Sequence, residues 1–133
     1  MKREGQSFTS SNGQGPLILV VDDEAPIRRL VSRVLDQNGF CTLLAMDGQE
    51  AVDLFTERQE EIAAVVLDLV MPGMDGAAAA RAMRRLNPAL PVLAMSGMKT
   101  CPEDEITTFL RKPLNADGLL AALRNLLDTT NCP

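Results

Sequence analysis

Asp22, Asp23, Asp68, Ser96 and Lys112 are the residues of this 133-residue chain whose types and spacing could do chemistry together. Each stands at the end of a predicted strand. "LILVV" (17–21) leads into Asp22-Asp23, "IAAVVL" (62–67) into Asp68, "PVLAM" (91–95) into Ser96 and "TTFLR" (107–111) into Lys112. Three carboxylates crowded within several ångströms repel by several kcal/mol at an effective dielectric of about 20. Such a group must hold a proton or bind a cation. With no Cys or His beside them the donors are all oxygens, which favours Mg²⁺, with Mn²⁺ as the alternative. An ammonium at Lys112 and a hydroxyl at Ser96 add what a phosphoryl group needs. A carboxylate at a strand tip, facing a metal, can attack phosphorus. The product would be an aspartyl phosphate on Asp68.

Singly, each residue has an ordinary explanation. Asp22, Asp23 and Asp75 suit helix caps, Ser96 a turn, and Lys112 a solvated surface. The joint reading depends on the elements that would position them. Residues 17–21 form an apolar, β-branched run. Ile27, Leu30, Val31, Val34 and Leu35 then recur at helical spacing until Asn38-Gly39. "FCTLLA" (40–45) is a second strand. Asp47 with Glu50 three residues on is a capping-box pattern opening a second helix. Residues 62–67 give a third strand, about 77–86 a helix stopped by Asn87-Pro88, and 91–95 and 107–111 two more strands. Asn115 caps a last helix carrying Leu119, Leu120, Leu123, Leu126 and Leu127.

Continuous apolar strands alternating with amphipathic helices predict an α/β fold, a doubly wound five-stranded parallel sheet with helices on both faces. Right-handed crossovers put all the strand ends named above on one edge. Ligands of such sheets gather there, at the topological switch point. Residues 1–16 are polar, rich in Ser, Gly and Gln, and read as a disordered tail or linker. The domain itself is expected over 17–130.

Composition narrows the chemistry further. The absence of histidine removes Ser-His triads and imidazole bases. Three cysteines at 41, 101 and 132 match no zinc spacing. A net charge of −5 argues against nucleic acid as a partner. No apolar run approaches the roughly 20 residues of a membrane span. The opening "MKREGQSFTS" lacks the apolar core of a signal peptide. A cytoplasmic protein without direct membrane contact is expected.

The sequence resembles the response-regulator receiver domain from Leu17 to about Asp128. The resemblance rests on "ILVVDDE" (18–24), "VVLDLVMPGMDG" (65–76), "MSG" (95–97) and "FLRKPL" (109–114), four pieces in order at four strand ends. It implies a flavodoxin-like fold and a phosphoacceptor role in two-component or phosphorelay signalling. The phosphoryl group would come from a phosphohistidine on a histidine kinase or histidine phosphotransfer domain. Residue by residue, it makes Asp68 the phosphoacceptor and Asp22 and Asp23 the acidic pair holding Mg²⁺, with Asp23 the direct ligand. The backbone carbonyl of Val70 completes the metal's protein ligands. Ser96 bonds the phosphoryl oxygen, Lys112 neutralises it, and Phe109 is the switch aromatic. Gly97 keeps access open, and the Lys112-Pro113 bond is a cis candidate. Such a domain is not an enzyme in the usual sense, though it promotes its own phosphorylation and dephosphorylation. Weak dimerisation is compatible with the reading.

Two features qualify the resemblance. The stretch from Ser96 to Lys112 is about six residues shorter than is usual in the family, roughly one and a half helical turns. The helix expected between the fourth and fifth strands, over 97–108, should therefore be shortened or irregular. "MSG" and "FLRKP" resemble receivers attached to hybrid sensor histidine kinases, and little chain follows the last helix to serve as a DNA-binding output. A stand-alone regulator or a receiver of a larger kinase is expected. Two other classes compete. A haloacid-dehalogenase-type phosphatase would want D-x-D after the first strand, where this chain has Asp22-Asp23-Glu24. A receiver fold kept only for protein interaction would not need the full acidic set.

Overall fold

A computed structural model describes residues 15–71, 73, 75–96, 108–111 and 115–131, the last three by backbone alone. Five strands, β1 (Leu17–Val21), β2 (Cys41–Ala45), β3 (Ile62–Asp68), β4 (Val92–Ser96) and β5 (Thr108–Arg111), form one sheet. Its order is β2-β1-β3-β4-β5 and every pairing is parallel. This is the doubly wound, flavodoxin-like architecture. Chain direction across the sheet reverses between β1 and β3, so the crevice at their carboxyl ends is the switch point.

Alternation along the strands feeds two separate cores. Leu17, Leu19, Val21, Val65 and Leu67 pack with α2 (Gly48–Arg58) and α3 (Gly76–Leu86). Ile18, Val20, Ala64, Val66, Leu93 and Met95 pack with α1 (Ala25–Gln37) and α4 (Ala116–Asn131). A strand buried on both faces must be apolar at every position. That is why β1 and β3 read as unbroken apolar runs and have no solvated side. Thr42 is the buried exception on β2; its hydroxyl bonds Ser32 of α1 at 2.9 Å.

Helix starts follow local chemistry. Asp47 accepts from the Glu50 N–H at 2.8 Å, while the Glu50 carboxylate reaches back to the Met46 N–H at 2.8 Å. The box thus closes one residue earlier than its standard form. Asp75 caps α3 through the Ala78 N–H, and Asn115 receives the Gly118 N–H in the first turn of α4. α1 begins at Ala25, two residues before the apolar periodicity shows, because Pro26 is tolerated in a first turn. It ends at Asn38, with Gly39 taking the left-handed conformation at φ 92°.

β3 runs one residue longer than the apolar run suggests and includes Asp68, paired in register with Met95. β4 likewise ends on Ser96. The shortened connection expected over 97–108 falls, but for Thr108, outside the described residues. So do most of the polar tail, Gly97 and the Lys112-Pro113 bond. Among the described residues no helix is long and apolar enough to cross a membrane.

Candidate functional site

The crevice between β1 and β3 gathers the acids. Asp22 follows β1 directly and is fully buried; its N–H continues the ladder to the Ala45 carbonyl at 3.2 Å. Its Oδ1 accepts the Glu24 N–H at 2.9 Å, and its carbonyl accepts from the Arg28 guanidinium at 2.6 Å. The loop between β1 and α1 is thereby folded back on the strand tip. Asp68 ends β3 with 5% of its surface exposed. Its Oδ1 accepts the Val70 N–H at 3.1 Å, a local turn that aims the carboxylate along the strand's own exit.

Gly76 fixes the other side of that exit. Its N–H donates to the Leu69 carbonyl at 3.0 Å. A Cβ at this position would lie 2.2 Å from the Asp68 carbonyl oxygen and 2.7 Å from the Leu69 Cα. The first turn of α3 therefore rests on the backbone of Asp68 itself, an approach only glycine permits.

Carboxylate oxygens of Asp22, Glu24 and Asp68 all lie within 4.8 Å of one another. Asp22 and Asp68 meet as the sequence implied. Glu24 is the addition; it belongs to the quoted "VVDDE" but drew no role, since a glutamate opening a helix looks like an ordinary first-turn acid. Asp23 is exposed and lies outside this threesome. Ser96 is fully buried at the tip of β4, next to β3 in the sheet. Val70 is exposed after β3, and Phe109 is half-buried on β5, paired in register with Ala94. Arg111 pairs with Ser96 at the end of β5; Lys112, the next residue, lies outside the described residues. Asp75 is accounted for by its cap.

The donor set suits a hard cation. Three carboxylates supply only oxygens, at a separation that one small ion can bridge, and two of them are buried where unrelieved like charge is costly.

Residues 18–124 match the family model of the response regulator receiver domain. The chain belongs to that family. Among curated relatives, the receiver is 37% identical over 120 residues to the response regulator MprA of Mycobacterium sp. (strain KMS), covering 86% of this chain and 51% of that protein. It thus spans about half the length of the curated relatives it matches. Among solved structures it resembles the chemotaxis protein CheY4 of Vibrio cholerae, with a TM-score of 0.77 at 29% identity, covering 84% of this chain and 98% of the other. It also resembles the receiver domain of the hybrid histidine kinase CckA, with a TM-score of 0.75 at 32% identity, covering 84% and 98%. The receiver is therefore a two-component signalling domain with a phosphoacceptor role.

Proposed function

We propose that this receiver takes a phosphoryl group onto Asp68 from a phosphohistidine, with Mg²⁺ held at the acidic crevice. The observation that carries the proposal is the burial of Asp68 and Asp22 at the switch point with a third carboxylate beside them. In the transfer a carboxylate oxygen of Asp68 forms the new bond to phosphorus as the histidine nitrogen–phosphorus bond breaks. The departing imidazole keeps the electron pair of that bond and takes a proton from solvent. Bound Mg²⁺ would offset the charge gathering on the phosphoryl oxygens. Asp22, Asp23 and Asp68, with the Val70 carbonyl, are the family's ligands for it. The Val70 N–H holds Oδ1 of Asp68 and fixes the carboxylate at the strand tip.

After transfer, the Ser96 hydroxyl would donate to a phosphoryl oxygen and the Lys112 ammonium would balance its charge. Phe109 is half-buried, so an inward turn of its ring as Ser96 moves would bury it further. Such burial is worth a few kcal/mol at most, about 1.5–3 for a whole side chain, enough to bias two states. The phosphoryl donor belongs to a histidine kinase or phosphotransfer domain. The face available to it includes α1, where Leu30 is 47% exposed beside Val34 and Ala116. We assign the domain to 17–130. A stand-alone regulator and a receiver within a hybrid kinase both accommodate this chemistry.

Intact mass after incubation with acetyl phosphate tests the reading. One phosphoryl group is expected with Mg²⁺ or Mn²⁺, none with EDTA, and none in Asp68→Asn. A mass gain that survives Asp68→Asn, or that needs no metal, would overturn it.

A further inference from the structure

We propose that Arg28 is a positioning residue of this receiver: it closes the tip of β1 and so sets where the Asp22 carboxylate stands opposite Asp68. The proposal rests on the phosphoacceptor reading above. β1 and β2 pair in register up to Val21 and Ala45, and the Asp22 N–H continues that ladder to the Ala45 carbonyl. The next rung of a parallel ladder would bring the Asp47 N–H to the Asp22 carbonyl. The chain has left the sheet by then: β2 ends at Ala45, and Asp47 caps α2. The Arg28 guanidinium takes the open place, donating to the Asp22 carbonyl at 2.6 Å. Its charge makes this bond stronger than the amide rung it replaces.

The helix itself gains nothing from this residue. Arg28 lies in the first turn of α1, which holds no acid, and a cation at that end opposes the helix dipole. Helical side chains lean back toward the N-terminus, which carries the guanidinium to the strand tip six residues earlier. A closed ring results. The Arg28 N–H donates to the Glu24 carbonyl at 3.0 Å, and the Glu24 N–H to Asp22 Oδ1 at 2.9 Å. The guanidinium bond to the Asp22 carbonyl completes it. Asp22 and Glu24 carry two of the three carboxylates that converge within 4.8 Å, and one arginine holds the backbone of both.

Charge and geometry give Arg28 opposite effects on a cation. As a positive charge beside Asp22 it repels a divalent ion, so its removal would tighten binding, and less so in salt. As the holder of the β1 tip it keeps the acids converged, so its removal would spread them and weaken binding at any ionic strength. The sign of the change therefore identifies the role. Loss of geometry is expected to prevail, since misplacement by about 1 Å can cost as much as a hundredfold in a positioned reaction.

Two variants of the full chain test the proposal. Arg28→Met keeps an unbranched stem without donor or charge, and Arg28→Lys keeps the charge and a donor for the carbonyl. Without metal, amide exchange at Glu24 should quicken about tenfold in Arg28→Met as the loop opens more often. Mn²⁺ binding, read from the loss of the free-ion EPR signal, should weaken about three- to tenfold at both low and high salt. Acetyl phosphate should load Asp68 about tenfold more slowly at saturating Mg²⁺. Arg28→Lys should recover most of each loss. Unchanged or tighter Mn²⁺ binding in Arg28→Met overturns the proposal, as does unaltered exchange at Glu24 or equal loss in the two variants. A fall in melting temperature alone also overturns it, marking Arg28 as a stabilising contact only. The phosphoacceptor reading fails separately, if the unaltered chain takes no phosphoryl group with Mg²⁺ or Mn²⁺. Exchange at Glu24 then still decides whether Arg28 holds the tip of β1.

Discussion

The two ends of β3 treat a carboxylate in opposite ways. Before the strand, Glu61 is exposed and receives two hydrogen bonds from the Arg58 guanidinium, at 2.7 and 3.2 Å. That hydrogen bond, with the positive charge behind it, holds the Glu61 carboxyl below the usual glutamate range against a small opposing effect of burial. At the far end Asp68 is buried and meets Asp22 and Glu24 instead. An acid matched with an arginine is an ordinary surface ion pair of small value. Acids gathered with acids lower the stability of the fold unless something relieves the charge, as the proposed Mg²⁺ would. The same strand therefore carries structural electrostatics at its start and functional electrostatics at its end.

The largest effect is expected where the functional end is held in place. Gly76→Ala would drive a methyl group into the Asp68 and Leu69 backbone, which cannot yield as a side chain tip would. A loss of about 2 kcal/mol or more is expected, since overpacking of a tight site costs about 1–3 kcal/mol. Urea unfolding would measure it. Phosphorylation should slow as well, because any relief moves the Asp68 carbonyl and its strand tip. A variant as stable as the original, with unchanged Mg²⁺ affinity, would show that this end of β3 is not packed as tightly as the contact requires.

Asp68→Asn should have a smaller effect on stability, and of the opposite sign. Removing one of three clustered negative charges is expected to stabilise the metal-free protein by about 1–2 kcal/mol at low salt. Added Mg²⁺ should raise the melting temperature of the original chain and leave the variant nearly unmoved. If the variant is less stable without metal, the cluster is relieved internally and the contrast between the ends of β3 is weaker than its geometry suggests.

The contrast was partly legible in the residues themselves. The strands could be placed because burial on both faces forces every position of β1 and β3 to be apolar. A charged residue closing such a run, Asp22 or Asp68, then stands out. Asp75 and Asn115 were legible as caps for the same reason, their position before a helical period. Glu24 was not. A glutamate beside two aspartates at a helix start has a familiar local explanation, and only the fold-back of the loop onto Asp22 turns it toward Asp68. Gly76 was quoted within its motif without a role, since nothing in the chain says what a missing Cβ avoids. The extension of β3 through Asp68 and β4 through Ser96 was also hidden, because polar residues at strand tips look like the first residues of a loop.

The smallest effect belongs to the structural end. Glu61 has its carboxyl pKa lowered in the folded protein, so the unfolded chain binds its proton more readily. Its pairing with Arg58 stabilises the fold when the carboxyl is ionised in both states, above the glutamate's unfolded value of about 4.3. The contribution fades as pH falls through the folded value. Because both groups are substantially solvated, with side-chain exposures of 33% and 57%, it should amount to a few tenths of a kcal/mol. Glu61→Gln should therefore melt slightly below the original at neutral pH and indistinguishably from it near pH 3, well under the unfolded value. High salt should erase the difference at neutral pH, since exposed pairs are screened. Thermal melts of the two proteins across pH, each with and without salt, would measure this. A gap that widens toward acid, or one that survives high salt, would mean that Glu61 acts through packing or backbone contacts rather than through its charge.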